Sequence, residues 1–119
     1  MWGLENIGVI LDTFHGNIKE VNMKDAIKQA GKKLFHVHIA DSHRGTLGTG
    51  HIDFKSIIRG LKEIGYDGYI SLEAWPRIEK IGVKFTSYNM SDKITLKDIE
   101  TILENSLEYL KTLEKVVEV

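Results

Sequence analysis

The sequence contains no cysteine, which excludes disulfide bonds, thiolate metal sites and cysteine nucleophiles. This absence fits a reducing compartment, and we expect a cytoplasmic protein. No apolar run approaches the roughly 18 residues of a membrane span, and the first residues lack the basic stretch of a secretory signal. We therefore predict neither a membrane segment nor a cleaved leader.

Neither sign of charge is in excess, because 16 basic residues face 17 acidic ones. This balance predicts no binding surface for nucleic acid or anionic lipid. Proline occurs once, and no segment has low complexity. With 42% hydrophobic and 28% charged residues, the 119-residue chain has the composition of a globular protein with a packed core. We treat residues 1–119 as one domain or as part of one.

Three short apolar runs alternate with three helical patterns along the chain. The runs cover residues 7–12, 34–40 and 69–74, and a long connection over residues 76–94 precedes the last helical pattern. This order is typical of consecutive β/α units with a parallel sheet. The sequence therefore predicts three parallel strands, each followed by a helix.

The helices are marked at their ends by capping residues. Asn22 is placed to begin the first helix and Gly31 to end it. Asp53 is placed to begin the second helix and Gly65 to end it, and Thr95 is predicted to cap the start of the third. Apolar residues at helical spacing follow each of the three predicted starts.

One face of the strands is apolar, whereas the other becomes polar toward each C-terminal end, at Asp12, His38 and Glu73. Buried strands of an open doubly wound sheet are apolar on both faces, so this pattern favours a closed barrel with a polar site at its mouth. The predicted fold is α/β, a partial (β/α)₈ TIM barrel of about three C-terminal units. The apolar face should hold Val9, Leu11, Phe35, Val37, Ile39, Ile70 and Leu72, and the opposite face Gly8, Ile10, Leu34, His36, Tyr69 and Ser71.

Three strands cannot close a barrel, and they leave both edges of the sheet unpaired. We therefore expect either that the natural polypeptide continues upstream of Met1, supplying the N-terminal half-barrel, or that the chain completes itself by assembly. The expected partner is a second copy of the chain or a separate half-barrel.

Two carboxylates and an imidazole on neighbouring strands form a suitable ligand set for Mn²⁺, Mg²⁺ or Co²⁺. Each of them also has an ordinary structural interpretation, because a strand-end aspartate often caps a helix and an isolated histidine is more often structural than a ligand. His36 lies deeper than His38, and we interpret it as a structural histidine. His43 and His51 fall in the following loop.

The loop segment from Gly45 to Gly50 is rich in glycine and resembles a phosphate cradle. It lacks the lysine of a P-loop at the required position and does not fit a dinucleotide-binding fingerprint. We interpret the segment as a flexible loop at the active site.

Several motifs stand in a fixed order and spacing: LDTFH at 11–15 followed by Asn17, HVH at 36–38, Arg44, GTGHIDF at 48–54, and GYDGY at 65–69 leading to Glu73. Together they resemble the xylose isomerase-like barrel superfamily. Within it, the D-tagatose 3-epimerase and D-psicose 3-epimerase group looks most similar. The resemblance covers about residues 6–76.

The resemblance implies that Asp12, His38 and Glu73 bind a divalent metal, with Mn²⁺ expected and Mg²⁺ or Co²⁺ as alternatives. It also implies that Glu73 is a catalytic acid or base, and that His15 and Arg44 bind oxygens of the substrate. In that family a second metal-binding glutamate lies on an earlier strand, and no segment of this chain occupies its place.

The expected function is that of a divalent-metal-dependent sugar isomerase or epimerase, acting on a ketose by proton transfer through an enediolate. One alternative is a truncated or non-catalytic half-barrel that binds metal but lacks the second glutamate. Others are an inositol-catabolism dehydratase and an endonuclease-IV-like hydrolase. The near-neutral charge argues against the last of these, since a nuclease needs a surface for DNA.

Overall fold

The computed structural model of the chain describes residues 4–74 and 96–118. Its secondary structure confirms the alternation of strands and helices, and it adds one short helix, over Thr13–Lys19, that the sequence patterns do not predict. In chain order the elements are β1 (Val9–Asp12), α1 (Thr13–Lys19), α2 (Met23–Ala30), a 3₁₀ turn (Gly31–Lys33), β2 (Leu34–Ile39), α3 (Phe54–Glu63), β3 (Ile70–Leu72) and α4 (Leu96–Val116).

The three strands form one parallel sheet in the order β1-β2-β3. Asp12 pairs with His38, and His38 pairs with Ser71. The ladder continues past β3, because the backbone N–H of Glu73 donates to the carbonyl of Ile39 at 2.9 Å. The C-terminal ends of all three strands therefore meet at one edge of the sheet, as in a segment of a parallel barrel.

The predicted caps of the first two helices are confirmed. The Asn22 side chain accepts a hydrogen bond from the backbone N–H of Asp25 at 3.2 Å, and Asp53 accepts one from Ser56 at 3.1 Å. Gly31 and Gly65 follow α2 and α3 with φ values of 50° and 67°, in the region that glycine adopts at low cost. The predicted cap at Thr95 and the connection over 76–94 lie outside the described residues.

Helix α1 is short, which explains why its pattern is not visible in the sequence. Its seven residues make fewer than two and a half turns, too few to show a helical period. It begins because Asp12 acts as its N-cap, accepting from the backbone N–H groups of Phe14 at 2.9 Å and His15 at 3.2 Å. The strand-end aspartate thus has a capping role as well as its predicted ligand role.

Helices α2, α3 and α4 cover one face of the sheet. Val37 and Ile39 of β2 are fully buried beneath Phe54 and Ile57 of α3, as the apolar face of the strands predicts. The last helix adds apolar side chains near its C-terminal end to the same cluster. The core residues are Ile27, Leu34, Val37, Ile39, Leu47, Phe54, Ile57, Ile58, Leu61, Leu113 and Val117.

The predicted position of Leu34 on the polar face is wrong. Leu34 is buried in the core, whereas Phe35 is 46% exposed. The register shifts between Val9 and Ile10, so that β2 carries one additional residue at this point. Such a bulge reverses the alternation of side chains locally, and strict alternation holds only beyond it.

Within the described residues, β1 and β3 each pair on one side only, as expected of an incomplete barrel. Val9 and Ile10 of β1, and Ile7 just before it, are about half exposed or more. Beside them lies an open groove of about 520 Å³ between β1, α1 and α2. This groove runs along the edge of the sheet, and Asp12 and His15 are among the residues that line it. None of the helices in the described ranges is long and apolar enough to cross a bilayer.

The core predicts a graded response to truncation. Ile57→Val should lower the free energy of unfolding by about 0.5–1.5 kcal/mol and Phe54→Ala by about 3–5 kcal/mol, because both side chains are fully buried. Urea denaturation followed by circular dichroism measures both losses. Lys55→Ala, on the exposed side of the same helix, should change the value by less than about 0.5 kcal/mol. Equal losses in all three variants would contradict this packing.

Candidate metal and sugar site

The side chains of Asp12, His38 and Glu73 converge at the C-terminal edge of the sheet. One potential ligand atom from each of them lies within 4.8 Å of those of the other two, and all three residues are partly buried. Asp12 ends β1, His38 is the penultimate residue of β2, and Glu73 directly follows β3. Their predicted convergence from adjacent strands is confirmed.

The carboxylate of Asp12 uses one of its two oxygens to cap α1. Its Oδ1 accepts the two backbone hydrogen bonds that begin α1. Among the described residues no hydrogen bond to Oδ2 is found, so this oxygen is available to a ligand. The cap also fixes the side chain in one orientation, which lowers the entropic cost of binding a cation.

His36 has the structural role that its depth in the strand predicts. One of its ring nitrogens, Nε2, shares a hydrogen bond of 2.9 Å with the hydroxyl of Ser71 on the next strand. The ring meets that of His38 edge to face, with centroids 5.0 Å apart. His36 therefore packs against the His38 ring and links β2 to β3 through Ser71.

Thr13 joins the ends of β1 and β2 next to the triad formed by Asp12, His38 and Glu73. Its side chain is fully buried, and its hydroxyl donates to the carbonyl of Ala40 at 2.7 Å while accepting from the N–H of Ala40 at 2.8 Å. Thr13 follows Asp12, and Ala40 stands two residues after His38. These two hydrogen bonds therefore hold two of the triad residues at a fixed separation.

Arg44 contacts both the triad and His15, the other predicted substrate-binding residue. Its Nη1 lies 3.9 Å from Oε1 of Glu73, and its Nη2 lies 3.4 Å from Nε2 of His15. The guanidinium stacks over the ring of Phe14 at 4.1 Å, a cation–π contact. All five predicted site residues thus belong to one cluster. Phe14 is a member that the sequence analysis did not single out.

The loop between β2 and α3 is organised around Asp41, which the sequence analysis also missed. Asp41 is fully buried, and its carboxylate accepts from the backbone N–H groups of Ser42, Gly48, Gly50 and Ile52 at 2.7–3.4 Å. Burial alone would raise the pKa of Asp41, but these hydrogen bonds outweigh it and lower the pKa below its usual value. The group is therefore ionised at neutral pH.

This network argues against the flexibility that we predicted for the loop. His43 contributes to it through Nε2, 2.8 Å from the Thr49 hydroxyl, and Nδ1, which accepts from the N–H of Gly45 at 3.4 Å. His51 lies 3.3 Å from the side-chain amide of Asn17 on α1. Both histidines thus make local contacts within the loop or to α1, and neither belongs to the triad.

The donor set of the triad fits a divalent cation. Two carboxylates and an imidazole are ligands of Mn²⁺, Mg²⁺ and Co²⁺, and the cysteine-free chain has no competing thiolate. Atoms bound to one such cation at about 2.1 Å lie at most about 4.2 Å apart. The ligand atoms of the triad all lie within 4.8 Å of one another, which is close to that limit. Among the described residues this is the only such group.

Comparison with known proteins gives the family of the chain. The sequence model of the family described as xylose isomerase-like TIM barrel matches residues 2–113. The chain belongs to this family. The match confirms the fold that the strand pattern and the motifs predict, and the three-stranded parallel sheet is a part of such a barrel.

The relatives found within this family include ketose 3-epimerases. An L-ribulose 3-epimerase of Mesorhizobium japonicum is 48% identical over 73 residues, which cover 61% of this chain and 25% of that protein. An L-ribulose 3-epimerase of Methylomonas sp. is 38% identical over 101 residues, covering 85% and 35%. A solved L-ribulose 3-epimerase structure superposes with a TM-score of 0.77 at 34% identity, over 97% of this chain and 38% of that one. The chain thus spans between a quarter and two fifths of their length.

The Thr13 hydroxyl predicts a difference between two small substitutions. Thr13→Val keeps the shape but leaves the buried backbone groups of Ala40 without these partners, which should lower the free energy of unfolding by about 1–3 kcal/mol. Thr13→Ser keeps the hydroxyl and should lose about 1 kcal/mol or less, for the missing methyl group. Urea denaturation compares the two. A Val variant at least as stable as the Ser variant would show that the hydrogen bonds contribute little.

Proposed function

We propose that this chain forms the C-terminal part of a divalent-metal-dependent epimerase that inverts a carbon atom of a ketose sugar. The observation that carries the proposal is the convergence of Asp12, His38 and Glu73 within 4.8 Å, at the C-terminal edge of the sheet. Barrel enzymes place their active sites at this edge. The ketose 3-epimerases among the relatives support a sugar as the substrate class.

In this proposal Asp12, His38 and Glu73 hold the metal. Their mixed oxygen and nitrogen donors favour Mn²⁺, with Mg²⁺ and Co²⁺ as alternatives. When bound, the cation supplies Lewis acidity, which polarises the ketose carbonyl and stabilises negative charge on the sugar oxygens.

Glu73 is the proposed acid or base. Its backbone N–H donates to the carbonyl of Ile39, which holds the residue at the end of β3, and its carboxylate lies 3.9 Å from the Arg44 guanidinium. We propose that it takes or returns the proton of the carbon next to the carbonyl. Arg44 and His15 lie beside it, and their N–H groups are suited to bind the hydroxyl and carbonyl oxygens of the sugar.

Epimerisation needs a second carboxylate on the other side of the reacting carbon, so that a proton leaves from one face and returns to the opposite one. Among the described residues of the site, Glu73 is the carboxylate that we assign to proton transfer, and it can serve only one face of that carbon. We propose that the remaining part of the barrel, from the same polypeptide or from another chain, supplies the second group. If it is absent, the chain binds metal without turnover, which is the main alternative.

The other two functions considered from the sequence are less well supported. The relatives found include sugar epimerases, among them a 3-dehydro-D-guloside 4-epimerase of Escherichia coli, and these do not favour an inositol-catabolism dehydratase or an endonuclease-IV-like hydrolase. A cytoplasmic location remains our prediction.

Metal titration tests the proposed site. Calorimetry with Mn²⁺ should show one site per chain, and Asp12→Asn should weaken binding about tenfold or more, because a neutral amide replaces an anionic ligand. Asn is itself a good N-cap, so α1 should persist. Asp53→Asn is a matched control, since it makes the same change at the cap of α3, and it should leave Mn²⁺ affinity unchanged. Equal affinity in all three proteins would contradict the proposed metal centre.

Turnover is then measured on the Mn²⁺-loaded chain. Incubation with L-ribulose or D-psicose in D₂O, followed by NMR, reports exchange of the proton at the reacting carbon. Proton exchange together with formation of the epimer supports the proposal that the chain is an active epimerase. Metal binding without exchange supports the incomplete, non-catalytic half-barrel, and exchange without the epimer would locate the missing function in the second carboxylate.

The exposed edge of β1 predicts association. Ile7, Val9 and Ile10 line it, and burying them against another strand is favourable. Sedimentation at micromolar concentration should therefore show dimers or larger species, and Ile10→Lys should shift them toward the monomer. Lys55→Ala, far from the edge, serves as the control. A monodisperse wild-type monomer would count against the half-barrel interpretation.

A further inference from the structure

The Asp41 carboxylate is a fully buried charge whose partners, among the described residues, are backbone N–H groups. The four N–H groups come from three separate parts of the same loop: its start at Ser42, its middle at Gly48 and Gly50, and its end at Ile52. A buried charge is tolerated only with such compensation. The loop therefore closes around Asp41 and returns to the point where it leaves the sheet.

This arrangement explains why the glycine-rich segment resembles a phosphate cradle. Its N–H groups at Gly48 and Gly50 do point at an anion, but that anion is the protein's own carboxylate, at 2.9 and 3.0 Å. The backbone approaches so closely that a Cβ atom at Gly50 would lie 2.2 Å from Oδ1 of Asp41. The segment is thus occupied internally and offers no site for an external phosphate.

Arg44 is held inside this closed loop in an uncommon backbone conformation. Its φ is 58°, a left-handed value that costs a residue with a side chain about 1–2 kcal/mol. Its N–H donates to the carbonyl of Asp41 at 2.9 Å, closing the turn in which it sits. A strained conformation persists only where its surroundings impose it, and the turn directs the guanidinium toward Glu73 and His15.

We propose that Asp41 is a positioning residue, whose carboxylate closes the loop over residues 42–52 and so holds the Arg44 guanidinium beside Glu73 to receive the sugar. Among the described residues its carboxylate accepts hydrogen bonds from the loop backbone and from no triad side chain, so it acts through the loop backbone. The proposal rests on the function proposed above and deepens it, because it names the residue that holds the sugar-binding Arg44 in place.

A double-mutant cycle separates positioning from general stability. Asp41→Asn should leave Mn²⁺ affinity within about twofold of wild type, but weaken binding of D-psicose or L-ribulose to the Mn²⁺-loaded chain about tenfold, as loss of charge-assisted hydrogen bonds implies. In an Arg44→Ala background the same substitution should have no further effect on ketose affinity, because the residue that it positions is gone. Additive losses would overturn the proposal. Asp53→Asn, the same change at the cap of α3, should leave ketose affinity unchanged.

A second readout needs no ketose. Trypsin cleavage after Arg44, quantified by mass spectrometry against cleavage after Arg59 in α3, should be about tenfold faster in Asp41→Asn than in wild type or Asp53→Asn, since the loop opens. If the wild type binds no ketose, the proposed function fails, and this ratio alone decides the positioning role. An unchanged ratio would refute it.

If Asp41→Asn does not fold, Gly50→Ala tests the same interaction between the Asp41 carboxylate and the loop, by changing the loop backbone instead of the carboxylate. It keeps the carboxylate but forces it away from the loop, because the added methyl would overlap Oδ1. The expected result is again weaker ketose binding, unchanged Mn²⁺ affinity and faster cleavage after Arg44. A folded Gly50→Ala protein with wild-type values in all three measurements would overturn the proposal.

Discussion

The parallel register of the three strands is the constraint on which the candidate site depends. Asp12 faces His38 across one pair of strands, and the ladder of the second pair extends to the backbone of Glu73. Because parallel strands end at the same edge, three residues far apart in sequence meet there without any long side-chain excursion. The Thr13 hydroxyl fixes the first of these pairs at the point where the regular ladder stops.

Much of the fold could be predicted from local patterns, because each of them depends on near neighbours. Capping at Asn22 and Asp53 requires only the next three residues, and the alternation of β2 records which face is buried. The triad followed from the same alternation together with the motif spacing. These features are encoded within single β/α units, and a piece of a barrel shows them as well as a whole one.

The features that were missed are those in which one segment depends on the path of another. The bulge that buries Leu34 is a property of how β1 and β2 pair, and neither strand shows it alone. Asp41 is recognisable only once the loop has turned back, although its position four residues before a glycine-rich segment was a usable signal. The N–H groups of Gly48 and Gly50 find their anion in Asp41, the acidic residue that precedes the segment, whereas Asp53, which follows it, caps α3.

The shared carboxylate of Asp12 has a consequence for which residues that position tolerates. One oxygen begins α1, and the proposed ligand role falls to the other, so the side chain must be short enough to cap and anionic enough for that proposed role. Asparagine satisfies the first demand and only weakly the second, whereas glutamate satisfies the second and reaches past the helix start. Since α1 carries His15, a change of residue here is expected to alter the proposed sugar-binding residue and the proposed metal ligand together. Natural variation at this position should accordingly be confined to aspartate in any chain that keeps both.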